Sequence, residues 1–194
     1  MVAGLLSNLR NTVIVAFVFA AIVFVVVTGG QTPEGFGAFV FRWLHVVSGI
    51  MWVGLLWYFN FVQIPSMPKI PDEQKPAVSK VIAPEALFWF RWAAMATIIT
   101  GLILAMLSGY LIDALLLGTQ DGNGRIIGIG MWLGTIMWFN VWFVIWPNQK
   151  RALGLVEVTP EVKAASARTA MLFSRTNTAL SVPMLFCMVA QQSL

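Results

Sequence analysis

Residues Arg42 to Pro65, RWLHVVSGIMWVGLLWYFNFVQIP, form one long apolar run with a cation at its start and asparagine, glutamine and proline toward its end. From Arg42 to Asn60 an α-helix rises ~27 Å, close to the ~30 Å hydrocarbon core of a bilayer. The run holds the only histidine of the chain, His45. On a helix Arg42, His45, Gly49, Trp52 and Phe59 fall on roughly one stripe, at spacings of three, four and seven residues. The run therefore reads as a membrane helix with a polar residue near each face and a histidine about one turn inside one of them.

The rest of the chain agrees with that environment. Of 194 residues, 59% are hydrophobic and 10% charged, with a mean hydropathy of +0.82, against about 25% charged residues in a soluble domain. Such a chain cannot cover its surface with polar groups, and the expected class is an all-α integral membrane protein. The net charge of +4 does not point to nucleic acid, because the basic residues are scattered between the apolar runs as membrane-flanking residues. The single cysteine, Cys187, excludes an internal disulfide and a Cys-based metal cluster.

Five spans are expected, at about 12–28, 38–64, 85–110, 125–146 and 166–191, as a single transmembrane domain over 1–194. The first follows Arg10 and precedes Gly29-Gly30; a signal peptide shares that pattern, but no small-residue cleavage site follows, so a retained helix is expected. Prolines at 65, 68, 71, 76 and 84 around Asp72-Glu73-Gln74-Lys75 predict a polar loop from Pro65 to Pro84. Leu111 to Leu117 is apolar but too short to span, and predicts an interfacial segment before a turn at 118–124. Pro147 predicts the end of the fourth helix, and Pro183 a proline inside the fifth. Lys69, Lys75, Lys80, Arg91, Lys150, Arg151, Lys163 and Arg168 fall with Arg10 on one side, and only Arg42 and Arg125 on the other. The positive-inside rule then places the N-terminus in the cytoplasm and the C-terminus, with His45 near it, on the outer face.

Met51-Trp52-Val53-Gly54 recurs as Met131-Trp132-Leu133-Gly134, and Phe59-Asn60 as Phe139-Asn140, all at an offset of eighty. The repeat predicts parallel second and fourth helices, and a bundle of two repeated helix pairs with the first helix outside. His45 has no counterpart, because position 125 is arginine. Any site is therefore asymmetric.

His45 is the leading candidate for chemistry. Imidazole is the usual protein ligand for haem iron in a membrane bundle, and a polar ring in lipid needs a partner. Gly49, one turn further in, removes bulk where a porphyrin could lie, and Arg42 and Arg125 could approach its propionates. Haem b through His45 is one reading; an interfacial histidine bonded to a neighbouring helix is the other. Copper is a lesser alternative, since Met51, Met95, Met131 and Met184 lie at different depths. Asn60 and Asn140, near the inner face, are expected to serve as interhelical hydrogen-bonding partners. Arg91, Arg175 and Asn177 sit toward the same face, where lipid phosphate is the ordinary partner. There is no phosphate loop, carboxylate dyad or nucleophile triad.

Four stretches carry a family resemblance: RWLHVVSGIMWVG (Arg42 to Gly54), PEALFWFRW (Pro84 to Trp92), GTIMWFNVWFVIWPNQK (Gly134 to Lys150) and SRTNTALSVPMLFCM (Ser174 to Met188). The chain resembles the transmembrane, N-terminal domain of bacterial membrane-bound urate oxidase (urate hydroxylase). That resemblance implies oxidation of urate, with electrons passed to cytochrome c, in the bacterial inner membrane. It is to a short form, since no CxxCH for a c-type haem is present. The family pattern also implies histidines at Phe88 and Thr176 and an acidic residue at Ala93, so that His45 alone clearly remains of its polar set. Three roles stay open. One is a subunit of a membrane redox complex that binds haem b, or scaffolds electron transfer beside other integral subunits with quinone or lipid bound. The second is a urate oxidase borrowing a separate periplasmic cytochrome c, and the third a purely structural subunit.

Overall fold

A computed structural model describes residues 4, 6–119 and 124–193, which divide into two compact units, Met1–Phe39 and Val40–Leu194. Secondary structure among the described residues is helical throughout. We number the helices α1 (Leu9–Thr28), α2 (Phe36–Lys69), α3 (Lys75–Leu107), α4 (Leu111–Leu115), α5 (Arg125–Ala152) and α6 (Pro160–Ser193). Of these α1, α2, α3 and α5 are long and apolar enough to cross a membrane, as in a multi-pass membrane protein. α6 is longer still, at 34 residues, but Arg168, Ser174, Arg175, Thr176 and Asn177 dilute its apolar content, and it is not among the four. Part of the expected turn at 118–124 lies outside the described residues.

In the first unit, the Asn8 side chain caps α1 by accepting from the Asn11 backbone N–H, and Gly29 ends it at φ 63°, a left-handed conformation suited to glycine. Phe24 packs on Phe36 and Phe39 with ring centroids 5.0 and 6.0 Å apart.

In the second unit, α2, α3, α5 and α6 close a ring of antiparallel neighbours. α2 meets α3 where His45 faces Thr97 and where Phe59 sets its edge on Phe90. α3 meets α5 through Trp92 against Trp142 and through Arg91, whose guanidinium lies 3.4 Å over the Trp146 ring. α5 meets α6 at Asn140–Asn177 and again at Ile127–Gln191. α6 returns to α2 at Trp57–Ser181 and Asn60–Ser174. Trp52, Leu56, Phe59, Leu87, Phe90, Met137, Val141, Ile145 and Met184 fill one half of the ring as a continuous apolar core. Lipid is as apolar as these side chains, so close packing and interhelical hydrogen bonds hold the ring.

The helices outrun their expected ends. α2 continues past Pro65 to Lys69, α3 starts at Lys75 rather than near 85, and α5 passes Pro147 to Ala152. The expected 65–84 loop shrinks to Ile70–Gln74. The reason repeats three times. A π-helical turn at Tyr58–Gln63, Val78–Ile82 or Asn140–Ile145 ends two residues before Pro65, Pro84 or Pro147. A proline in an α-helix lacks the N–H to bond the carbonyl four residues back and clashes with it. Here that carbonyl belongs to Phe61, Lys80 or Phe143, each inside the wider π turn. The helix then continues instead of stopping.

The π turns also change the repeat register. Those of α2 and α5, and the prolines after them, are offset by eighty-two residues, not eighty. Two residues are about 200° of helix, so the matched residues face differently. Trp52 is 1% exposed, whereas Trp132 is 45% exposed and donates its indole N–H to the Leu115 carbonyl.

Candidate functional site

The half of the ring not filled by the core holds a cavity of about 820 Å³, within the ~300–1,000 Å³ of small-molecule and cofactor sites. Trp52, Val53 and Met184 belong both to the apolar core and to the cavity wall. Arg42, Tyr110 and Gln191 line its other end.

His45 is fixed on the wall by α3. Its Nδ1 lies 2.9 Å from the Thr97 carbonyl oxygen, with the Thr100 hydroxyl at 3.5 Å. A carbonyl only accepts, so Nδ1 carries the proton and, in the neutral ring, Nε2 carries the lone pair. The hydrogen bonds of the ring run through Nδ1, and Nε2 makes none with the described residues. That is how ligating histidines are held, with one nitrogen oriented by a carbonyl and the other free for metal. Gly101 makes the arrangement fit. A β-carbon there would stand 2.8 Å from His45 Cε1 and 3.0 Å from Nδ1.

Of the residues predicted from the sequence, Arg42, His45 and Gly49 come together on this cavity. Arg125 is not among the lining residues; its backbone packs against Gly118 at the start of α5. Asn60 and Asn140 do not bond each other. Both reach α6, Asn60 Nδ2 donating to Ser174 Oγ at 2.8 Å and Asn140 Nδ2 to Asn177 Oδ1 at 2.8 Å, while Asn177 Nδ2 donates to the Met137 carbonyl. Both belong to the packed half of the ring, away from the cavity. Arg91, expected at lipid phosphate, stacks on Trp146. Phe88 and Thr176 lie on exposed faces and Ala93 is buried.

Sequence reasoning missed Thr97, Gly101, Tyr110 and Gln191. Thr97 acts through its backbone carbonyl, which has no side-chain signature. Tyr110 lies past the end of α3, where burial pushes its phenol above the usual value and the charge of Arg42 pulls it back. It is a neutral donor at physiological pH, beside a cation. Met131, Met184 and Met188 also line the cavity. Among the described residues no three His, Cys, Asp or Glu side chains gather as a metal site.

The donor set therefore suits a ligand that takes one nitrogen from the protein and brings the rest of its own coordination. It also suits a flat apolar body beside Gly49 and an anionic edge toward Arg42 and Tyr110. Haem b has all three features. Comparison with known proteins gives one finding: residues 116–192 match the urate oxidase N-terminal family, and the chain resembles that domain. The match covers α5, α6 and the turn before them; His45 lies outside it. No curated protein and no solved structure matches the chain.

Proposed function

We propose that this urate-oxidase-like membrane protein binds haem b in the α2–α3–α5–α6 cavity, as an electron-transfer subunit of a larger membrane redox complex. The observation that carries the reading is His45: Nδ1 is tied to the Thr97 carbonyl at 2.9 Å, and Nε2, with no hydrogen bond among the described residues, stands on the wall of a cavity of about 820 Å³. His45 would hold the iron, Gly101 would leave room for its imidazole and Gly49 for the porphyrin, and Arg42 and Tyr110 would hold the propionates. When bound, the haem supplies a one-electron couple. Quinone or lipid in the same cavity is the alternative occupant. The reading includes five spans in the bacterial inner membrane, with α6 as the fifth. They are arranged as the pairs α2–α3 and α5–α6, with the N-terminus cytoplasmic and the C-terminus periplasmic. The His45–Thr97 and Asn140–Asn177 contacts support the pairing, and the Lys/Arg asymmetry supports the orientation. Arg42 and Tyr110 then face the periplasm, where a soluble cytochrome c would exchange electrons. A reduced-minus-oxidised absorbance spectrum of membranes carrying the chain tests this: b-type bands appear with the wild type and not with His45→Ala. Equal spectra from the two would reject it.

The family match favours a second reading, a urate oxidase that passes electrons to a separate cytochrome c. Membranes carrying the chain, given urate and cytochrome c, would then consume urate in proportion to cytochrome reduction. No turnover would leave the subunit reading.

A further inference from the structure

Three thioethers line the cavity that His45 faces: Met131 on α5, and Met184 and Met188 on α6. The interhelical hydrogen bonds set their depths. α2 and α6 are antiparallel and joined by the Asn60–Ser174 bond. From that bond His45 lies fifteen residues along α2, about 22 Å, and Met188 fourteen along α6 in the same direction, about 21 Å. Counted from the Trp57–Ser181 bond Met188 lies five residues, about 7 Å, deeper than His45, and counted from the Asn60–Ser174 bond the two are level to within about one residue's rise; on either count Met188 is the thioether nearest His45 in depth. Counted from the Asn60–Ser174 bond, Met184 is about 7 Å below His45 and is mostly enclosed in the apolar core. Met131, placed through the Asn140–Asn177 bond, is about 4 Å below. The opposite end of α6 gives the same order, since Gln191 is bonded to Ile127 N, three residues beyond Met188 and four beyond Met131.

Gly130 is what brings Met188 close to α5. A β-carbon at 130 would stand 3.3 Å from Met188 Cε and 2.9 Å from Cys187 Cβ, so the glycine lets the thioether pack flat on that helix at the cavity edge. Met188 is half-buried rather than locked in the core. An unbranched thioether with three rotatable bonds can turn its sulfur into the cavity without moving the backbone.

We propose that Met188 is the second axial ligand of the haem, giving an asymmetric His45/Met188 site with one ligand from α2 and one from α6. This rests on the haem reading above. The chain has a single histidine, and a thioether across from an imidazole raises the reduction potential relative to a second imidazole. The site would then suit electron exchange with a c-type cytochrome. Because the ligands lie on different helices, the haem would also clamp α6 to α2 at the cavity end, beyond the Trp57–Ser181 bond.

The test is the absorbance and electron paramagnetic resonance of purified, haem-loaded wild type, Met188→Leu and Met131→Leu; leucine keeps the volume and the apolar character. The wild type is expected to be low-spin with a far-red sulfur-to-iron charge-transfer band. Met188→Leu should keep the Soret band but become high-spin and lose the far-red band, with its potential lowered. Met131→Leu should match the wild type. Met188→His should restore a low-spin spectrum without the far-red band, which a misfolded variant would not do. A Soret band in the wild type with an unchanged Met188→Leu spectrum overturns the Met188 assignment alone, as does loss of the far-red band in Met131→Leu. Absence of any Soret band from the wild type overturns this assignment and the haem reading together.

Discussion

At the scale of single residues, the site depends on one ring held from behind. The stripe of Arg42, His45 and Gly49 was legible in the sequence because all three lie on one helix at helical spacing. Its support was not, because it comes from α3 through a backbone carbonyl and through the missing side chain of Gly101. Which glycine of one helix meets which ring of another depends on a register that no local pattern encodes. Gly101 therefore gives a discriminating prediction. In Gly101→Ala the new methyl would overlap His45 Cε1, and the ring can retreat only by giving up its 2.9 Å bond to Thr97. Overpacking of this kind costs about 1–3 kcal/mol. Haem retained through purification should fall about tenfold or more, with helical content by circular dichroism unchanged.

At the scale of helices, the sequence misled at the prolines. Pro65, Pro84 and Pro147 carry the ordinary meaning of a helix stop, and the expected boundaries followed it. Each π turn instead removes the clash locally, so α2, α3 and α5 run on, and the eighty-residue sequence repeat falls two residues out of structural register. The polar pairs of α6 were half legible: Asn60 and Asn140 read as interhelical glue, but their partners are Ser174 and Asn177 rather than each other. Asn177 is fully buried and makes two bonds to α5, one to Asn140 and one to the Met137 carbonyl. Asn177→Ala leaves a buried amide on α5 unpaired, and should lower stability by about 1–2 kcal/mol. Asn140→Ala should cost less when Asn177 is already alanine, and thermal unfolding of the four proteins in detergent measures that coupling. Additive effects would show that the pair does not hold α5 to α6.

At the scale of the whole molecule, composition alone made the chain an apolar helical protein, and the apolar runs located the four helices that, among the described residues, are long and apolar enough to cross a membrane. The cavity was out of reach, because it exists only where α2, α3, α5 and α6 close around a space that their side chains leave unfilled. Orientation is open to direct measurement. In a Cys187→Ala background, single cysteines at Glu73 and Glu157, in the basic loops, should react with a membrane-impermeant thiol reagent only after the cells are opened. One at Glu34 should react in cells with only the outer membrane permeabilised. The reverse pattern would invert the topology and move the cavity mouth to the cytoplasm. The central claim, that His45 and its cavity hold haem b, meets its most direct test in the haem-to-protein ratio of the purified chain. Pyridine haemochrome absorbance after expression in haem-replete cells gives that ratio. The ratio should be near one for the wild type and near zero for His45→Ala, with the same circular dichroism for both. No haem in the wild type, or full retention by His45→Ala, would contradict that claim.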